Sequence, residues 1–121
     1  MKKILLVEDD PVARQILATL LRPHYQLIMS GDAMAAFTDA RKQQPDLVIL
    51  DLGLPAGGGF AVLQRLKSIP ALAMVPVIVI SGLDREQNEQ KALDAGADVY
   101  LSKPVRNEDV LAAIRHHLGE V

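Results

Sequence analysis

Cysteine is absent from the 121 residues, and so is tryptophan. Without thiols the chain can build neither a disulfide framework nor a thiolate metal site, and it does not depend on an oxidising compartment. Aromatic residues make up 3% of the sequence and the formal net charge is -2, which leaves few platforms for stacking bases and no field to attract a polyanion. No direct nucleic-acid contact is expected. The N-terminal apolar run, Ile4 to Val7, stops at Glu8-Asp9-Asp10, too short for a signal-peptide core or a membrane span. The expectation is a soluble, cytoplasmic protein with no membrane contact. No repeat, low-complexity tract or linker divides it, so residues 1–121 read as one domain, long enough to bury a core.

What is present is an alternation. Ile4-Leu5-Leu6-Val7, Leu47-Val48-Ile49-Leu50 and Val77-Ile78-Val79-Ile80 are unbroken apolar runs, the pattern of parallel strands covered on both faces. Tyr25 to Met29 and Val99 to Leu101 are weaker runs that suit the edges of a sheet. Helical patterns lie between them. Asp10-Pro11 reads as an N-cap with proline in the first turn, opening a helix whose Ile16, Leu17, Leu20 and Leu21 share a face. Further helices are expected over Asp32 to Lys42, Phe60 to Lys67, and Asp84, in a capping box with Gln87, to a glycine stop at Gly96. The last runs from Asp109 to Leu118 and is stopped by Gly119. Five strands alternating with five helices make an α/β, doubly wound parallel sheet with right-handed crossovers.

Such sheets bind ligands beyond the carboxyl ends of their strands. Just past the first, third, fourth and fifth runs stand Glu8-Asp9, Asp51, Ser81 and Lys103. If Glu8, Asp9 and Asp51 meet within ~4 Å, each pair repels by about 4 kcal/mol at an effective dielectric near 20. Either a raised pKa or a bound cation must relieve that. Hard oxygen donors with no histidine or cysteine among them favour Mg²⁺ or a similar ion. An acid ending a rigid buried strand is also held still enough to act as a nucleophile.

"LLVEDD", "DLVILDLGLP", "VIVISG" and "AGADVYLSKP" stand in an order and at separations that resemble the receiver domains of bacterial two-component response regulators. The resemblance covers the whole chain and implies a flavodoxin-like sheet of order 2-1-3-4-5. It implies that Asp51 is the phosphoacceptor, taking a phosphoryl group from a phosphohistidine on a sensor histidine kinase or phosphotransfer protein. By the same likeness Glu8, Asp9, Asp51 and the backbone carbonyl of Gly53 would hold Mg²⁺ or Mn²⁺. Ser81 and Lys103 would bind the phosphoryl oxygens, Tyr100 would turn inward as a switch, and Lys103-Pro104 would be cis. The protein implied is a switch rather than an enzyme, a monomer or phosphorylation-dependent dimer whose α4-β5-α5 face engages an output domain or target protein. Gly53 and Leu83 depart from the family pattern, in which side chains there, polar at the second, flank the water that hydrolyses the acyl phosphate.

Other readings compete. A haloacid-dehalogenase-type phosphatase would want a second aspartate where Gly53 stands, and a flavodoxin-like flavin carrier would not place Glu8-Asp9-Asp10 in its phosphate loop. A receiver-like docking module that is never phosphorylated is the alternative kept, because a fold alone does not establish chemistry. Gly57-Gly58-Gly59 lacks the Lys-Ser/Thr of a P-loop and reads as flexible loop and helix entry. His24, His116 and His117 show no ligand spacing and read as helix-surface residues, and the stretch from Arg85 to Lys91 carries no apolar docking stripe.

Overall fold

The computed structural model describes residues 1–119. Strands β1 (Lys3–Val7), β2 (Gln26–Ser30), β3 (Leu47–Asp51), β4 (Val77–Ser81) and β5 (Val99–Ser102) form one parallel sheet in the order β2-β1-β3-β4-β5. Helices α1 (Pro11–Leu21), α2 (Ala33–Gln43), α3 (Gly58–Ser68), α4 (Arg85–Asp94) and α5 (Asn107–Leu118) connect them. The two weak runs are the edge strands, as their composition suggested.

The unbroken apolar runs serve two cores at once. Along β1, Leu5 and Val7 face the layer of α2 and α3, packing with Ala36, Val62, Leu63 and Leu66. Ile4 and Leu6 face the opposite layer, against Leu17 and Leu21 of α1 and Val110 and Ile114 of α5. Because side chains alternate across a strand, a two-sided core leaves no position for a polar residue until the strand ends. Each fully buried aliphatic side chain there contributes about 2 kcal/mol.

Helix ends follow the local chemistry with some shifts. Asp10 caps α1 by accepting from the Val12 N–H, with Pro11 in the first turn. Gly96, at φ 112°, closes α4, the Ala97 and Gly96 N–H groups returning to Ala92 and Leu93 carbonyls. At the other end of α4, Asp84 accepts from Glu86 N–H rather than from Gln87, so the expected capping box is a tighter turn. Helix α5 begins at Asn107, two residues before the expected Asp109; Asn107 and Glu108 are polar and gave the first turn no apolar periodicity. Ile16 is 58% exposed. The apolar stripe of α1 is wider than the surface it covers, and Ile16 falls on its outer flank, a turn from half-buried Leu20.

The triple glycine does enter a helix, as expected, and adds a close contact that the sequence does not show. A short 3-10 turn, Pro55–Gly57, precedes α3, and Ala56 and Gly57 adopt left-handed φ values of 56° and 72°. A Cβ on Gly59 would lie 2.4 Å from the Leu52 carbonyl oxygen. The segment is not slack: Gly59 lets the start of α3 lie directly on the end of β3.

Candidate functional site

The strands end in register, Asp51 beside Ile80 and Ser81 beside Ser102, and the chain leaves the sheet at Glu8 after β1 and at Lys103 after β5. That shared rim brings together residues distant in sequence. One carboxylate oxygen from each of Glu8, Asp9 and Asp51 lies within 4.8 Å of the others. Lys103 Nζ sits 3.3 Å from Glu8 Oε1 and 3.4 Å from Asp51 Oδ2. The Lys103-Pro104 peptide is cis.

Each group is held differently. Asp51 is 7% exposed, and its Oδ1 accepts the Gly53 N–H at 2.9 Å while Oδ2 faces the lysine. Glu8 is 2% exposed, anchored by its N–H to Ser30 carbonyl, and its Oε2 accepts from Asp10 N–H. Asp9 is exposed and, among the described residues, its carboxylate makes no hydrogen bond. Ser81 is buried, its Oγ accepting the Leu83 N–H at 3.0 Å. Tyr100 is buried, with no hydrogen-bond partner for its hydroxyl among the described residues and the Arg85 guanidinium 6.0 Å from its ring. Both departures from the family pattern lie on the rim: a Cβ at Gly53 would be 3.3 Å from Asp51 Oδ1, and Leu83 is 42% exposed.

At 4.8 Å and an effective dielectric near 20, each pair of ionised acids costs about 3 kcal/mol. Two features relieve it. Burial, then a hydrogen bond to Asp51 that only a protonated Glu8 can donate, push the Glu8 carboxyl up from 4.5 to about 7. Burial works against the Lys103 ammonium, but the Asp51 and Glu8 carboxylates outweigh it and hold its pKa above the ordinary lysine value. Below about pH 7 Glu8 is neutral and Lys103 balances Asp51 alone. Above it a second buried negative charge appears, which is the condition a divalent cation meets.

The profile described as "Response regulator receiver domain" matches residues 4–115. The chain belongs to the response regulator receiver domain family. The KDP operon transcriptional regulatory protein KdpE of Escherichia coli is 39% identical over 116 residues, 95% of this chain and 50% of that protein. The polar-differentiation response regulator DivK of Brucella anthropi is 28% identical over 98% of both chains. Among solved structures, the receiver domain of the sensor histidine kinase PA1611 of Pseudomonas aeruginosa, with a magnesium ion in its active-site cleft, is 26% identical with a TM-score of 0.88, covering 98% of each chain. This receiver spans half or less of several curated relatives, 14% in the case of the gliding motility regulatory protein of Myxococcus xanthus.

The donor set of the receiver fits Mg²⁺: three carboxylates on one rim, oxygen donors only, two of them buried and one open to solvent. Two participants escaped the sequence. Arg14 of α1 donates from Nη1 to the Glu8 carbonyl at 3.0 Å, and the Asp10 N–H supports Glu8 Oε2. The only signal for Arg14 is its place one helical turn after the Asp10 cap.

Proposed function

We propose that Asp51 accepts a phosphoryl group from the phosphohistidine of a sensor histidine kinase or phosphotransfer protein, and that the acyl phosphate switches the α4-β5-α5 face toward an output domain or target protein. The observation carrying this is the meeting of Asp51 with two further acids and one lysine at the strand ends. A carboxylate oxygen of Asp51 attacks phosphorus as the P–N bond to the donor imidazole breaks. The electron pair stays on that nitrogen, and the ring leaves neutral when its other nitrogen carries a proton. Mg²⁺ held by Glu8, Asp9, Asp51 and the Gly53 carbonyl would neutralise charge on the phosphoryl oxygens, and Mn²⁺ suits the same donors. Lys103 then exchanges its bond to Asp51 for one to a phosphoryl oxygen, and the Ser81 hydroxyl donates to another.

Ser81 carries the change outward, since its Oγ also holds the Leu83 N–H in the turn before α4. Tyr100 responds by a shift in population of a ring that already lies inward. The protein acts in the cytoplasm as a switch rather than a turnover enzyme, a monomer that phosphorylation can make a dimer. Incubation with Mg²⁺ and acetyl phosphate, followed by intact mass measurement, tests this. Wild type is expected to gain one phosphoryl group and Asp51→Asn none. Equal gain in both, absence of gain in wild type, or phosphate release over many turnovers would each overturn the reading.

A further inference from the structure

We propose that Arg14 is a positioning residue for the cation ligands, fixing the turn that aims Asp9 into the site. The inference rests on the reading of Glu8 and Asp9 as ligands. The Glu8-Asp9-Asp10 turn is held at both flanks: Glu8 N–H to Ser30 carbonyl, Arg14 Nη1 to Glu8 carbonyl, Asp10 N–H to Glu8 Oε2, and Val12 N–H to Asp10 Oδ1. Asp9 between them has no hydrogen bond of its own among the described residues, so the turn fixes where its Cα–Cβ bond starts and only rotamer preference directs the carboxylate from there. The Glu8 carbonyl, the group immediately preceding the Asp9 amide, is restrained by one side chain, the guanidinium of Arg14.

Gly31 belongs to the same device. A Cβ there would lie 3.0 Å from Arg14 Nη1 and, among the described residues outside its chain neighbours, within 4 Å of nothing else. Glycine at the end of β2 therefore leaves the lane along which Arg14 reaches from α1 to β1. A methyl added in Gly31→Ala presses on the guanidinium, which must give by a few tenths of an ångström, and leaves the charge in place.

The sign of the effect separates positioning from electrostatics. Deleting a nearby positive charge should strengthen binding of a divalent cation, whereas releasing the ligand turn should weaken it. Mg²⁺ affinity is measured by isothermal titration calorimetry without phosphodonor, and the rate of acetyl phosphate uptake is followed across Mg²⁺ concentrations. Arg14→Met is expected to weaken Mg²⁺ binding by about tenfold, in line with the loss of a partner behind a metal ligand, and Gly31→Ala, which only displaces the guanidinium, by a smaller factor. At saturating Mg²⁺ their uptake rates should match wild type, because the ion restores the turn it binds. The double variant should bind no more weakly than Arg14→Met, since both changes act on one contact. Tighter or unchanged binding by Arg14→Met, or additive losses in the double variant, would overturn the clamp. Should Arg14→Met fail to fold, Arg14→Gln takes its place, with weaker Mg²⁺ binding supporting the clamp and tighter or unchanged binding overturning it. Wild type that binds no Mg²⁺ would sink the site reading itself, and the clamp with it.

Discussion

Replacing Glu8 by glutamine isolates the proton that the Glu8 carboxyl retains on folding. In the folded protein the Glu8 carboxyl is raised from 4.5 to about 7, chiefly by burial. The native state therefore holds a proton that the unfolded chain has released, and stability falls as pH rises between those two values. A gap of that size, at about 1.4 kcal/mol per unit, removes about 3 kcal/mol by neutral pH. For a domain of 121 residues this is a fall in Tm of about 10 °C. Melting followed by circular dichroism in EDTA, from about pH 5 to about pH 8, should show that fall in wild type and not in Glu8→Gln. The two proteins should coincide at the acid end and separate at the alkaline end, with the variant more stable. Mg²⁺ should raise the Tm of wild type more at the alkaline end, where no proton competes for Glu8. Parallel Tm profiles for the two proteins in EDTA would refute the buried-proton account.

Lys103→Met removes the cation lying against Glu8 and Asp51. After allowance for solvent around the half-exposed lysine, Mg²⁺ binding by calorimetry should tighten by about tenfold, while phosphoryl uptake at saturating Mg²⁺ drops about 100-fold. Weaker Mg²⁺ binding would contradict the charge balance described above. Gly59→Ala forces a Cβ against the Leu52 backbone and should cost about 3 kcal/mol in urea unfolding; a loss below about 1 kcal/mol would mean the contact relaxes freely. Helix α4 buries a single residue, Ala92, so its amides should exchange faster than those of α1, α3 and α5, and equal protection would show that α4 is anchored by more than side-chain burial.

Much of this fold was legible because burial on both sides of a sheet leaves a strong mark on sequence. The three apolar runs became β1, β3 and β4, and the residues following them became the rim. Asp10-Pro11 and Gly96 marked helix ends because their signals are local. Features set by distant contacts left no such trace. Gly57-Gly58-Gly59 marked the entry to α3, but nothing in the three glycines tells that Leu52 lies beneath Gly59. The side chain of Arg14 is directed by a carbonyl six residues earlier and by open space at Gly31. The Asp109 start for α5 failed because Asn107 and Glu108 are polar, and periodicity sees only apolar faces. The raised Glu8 carboxyl depends on burial and on Asp51, a partner 43 positions away by sequence number.

Helix α4 is tied to the sheet by the methyl group of Ala92, leaving the rest of its ten residues half-buried or solvent-facing. Substitutions on its exposed face remove no buried contact and leave the groups at the strand ends in place. The strand ends sit between two buried layers, where a changed side chain must displace its neighbours; on α4 a changed side chain meets mostly solvent.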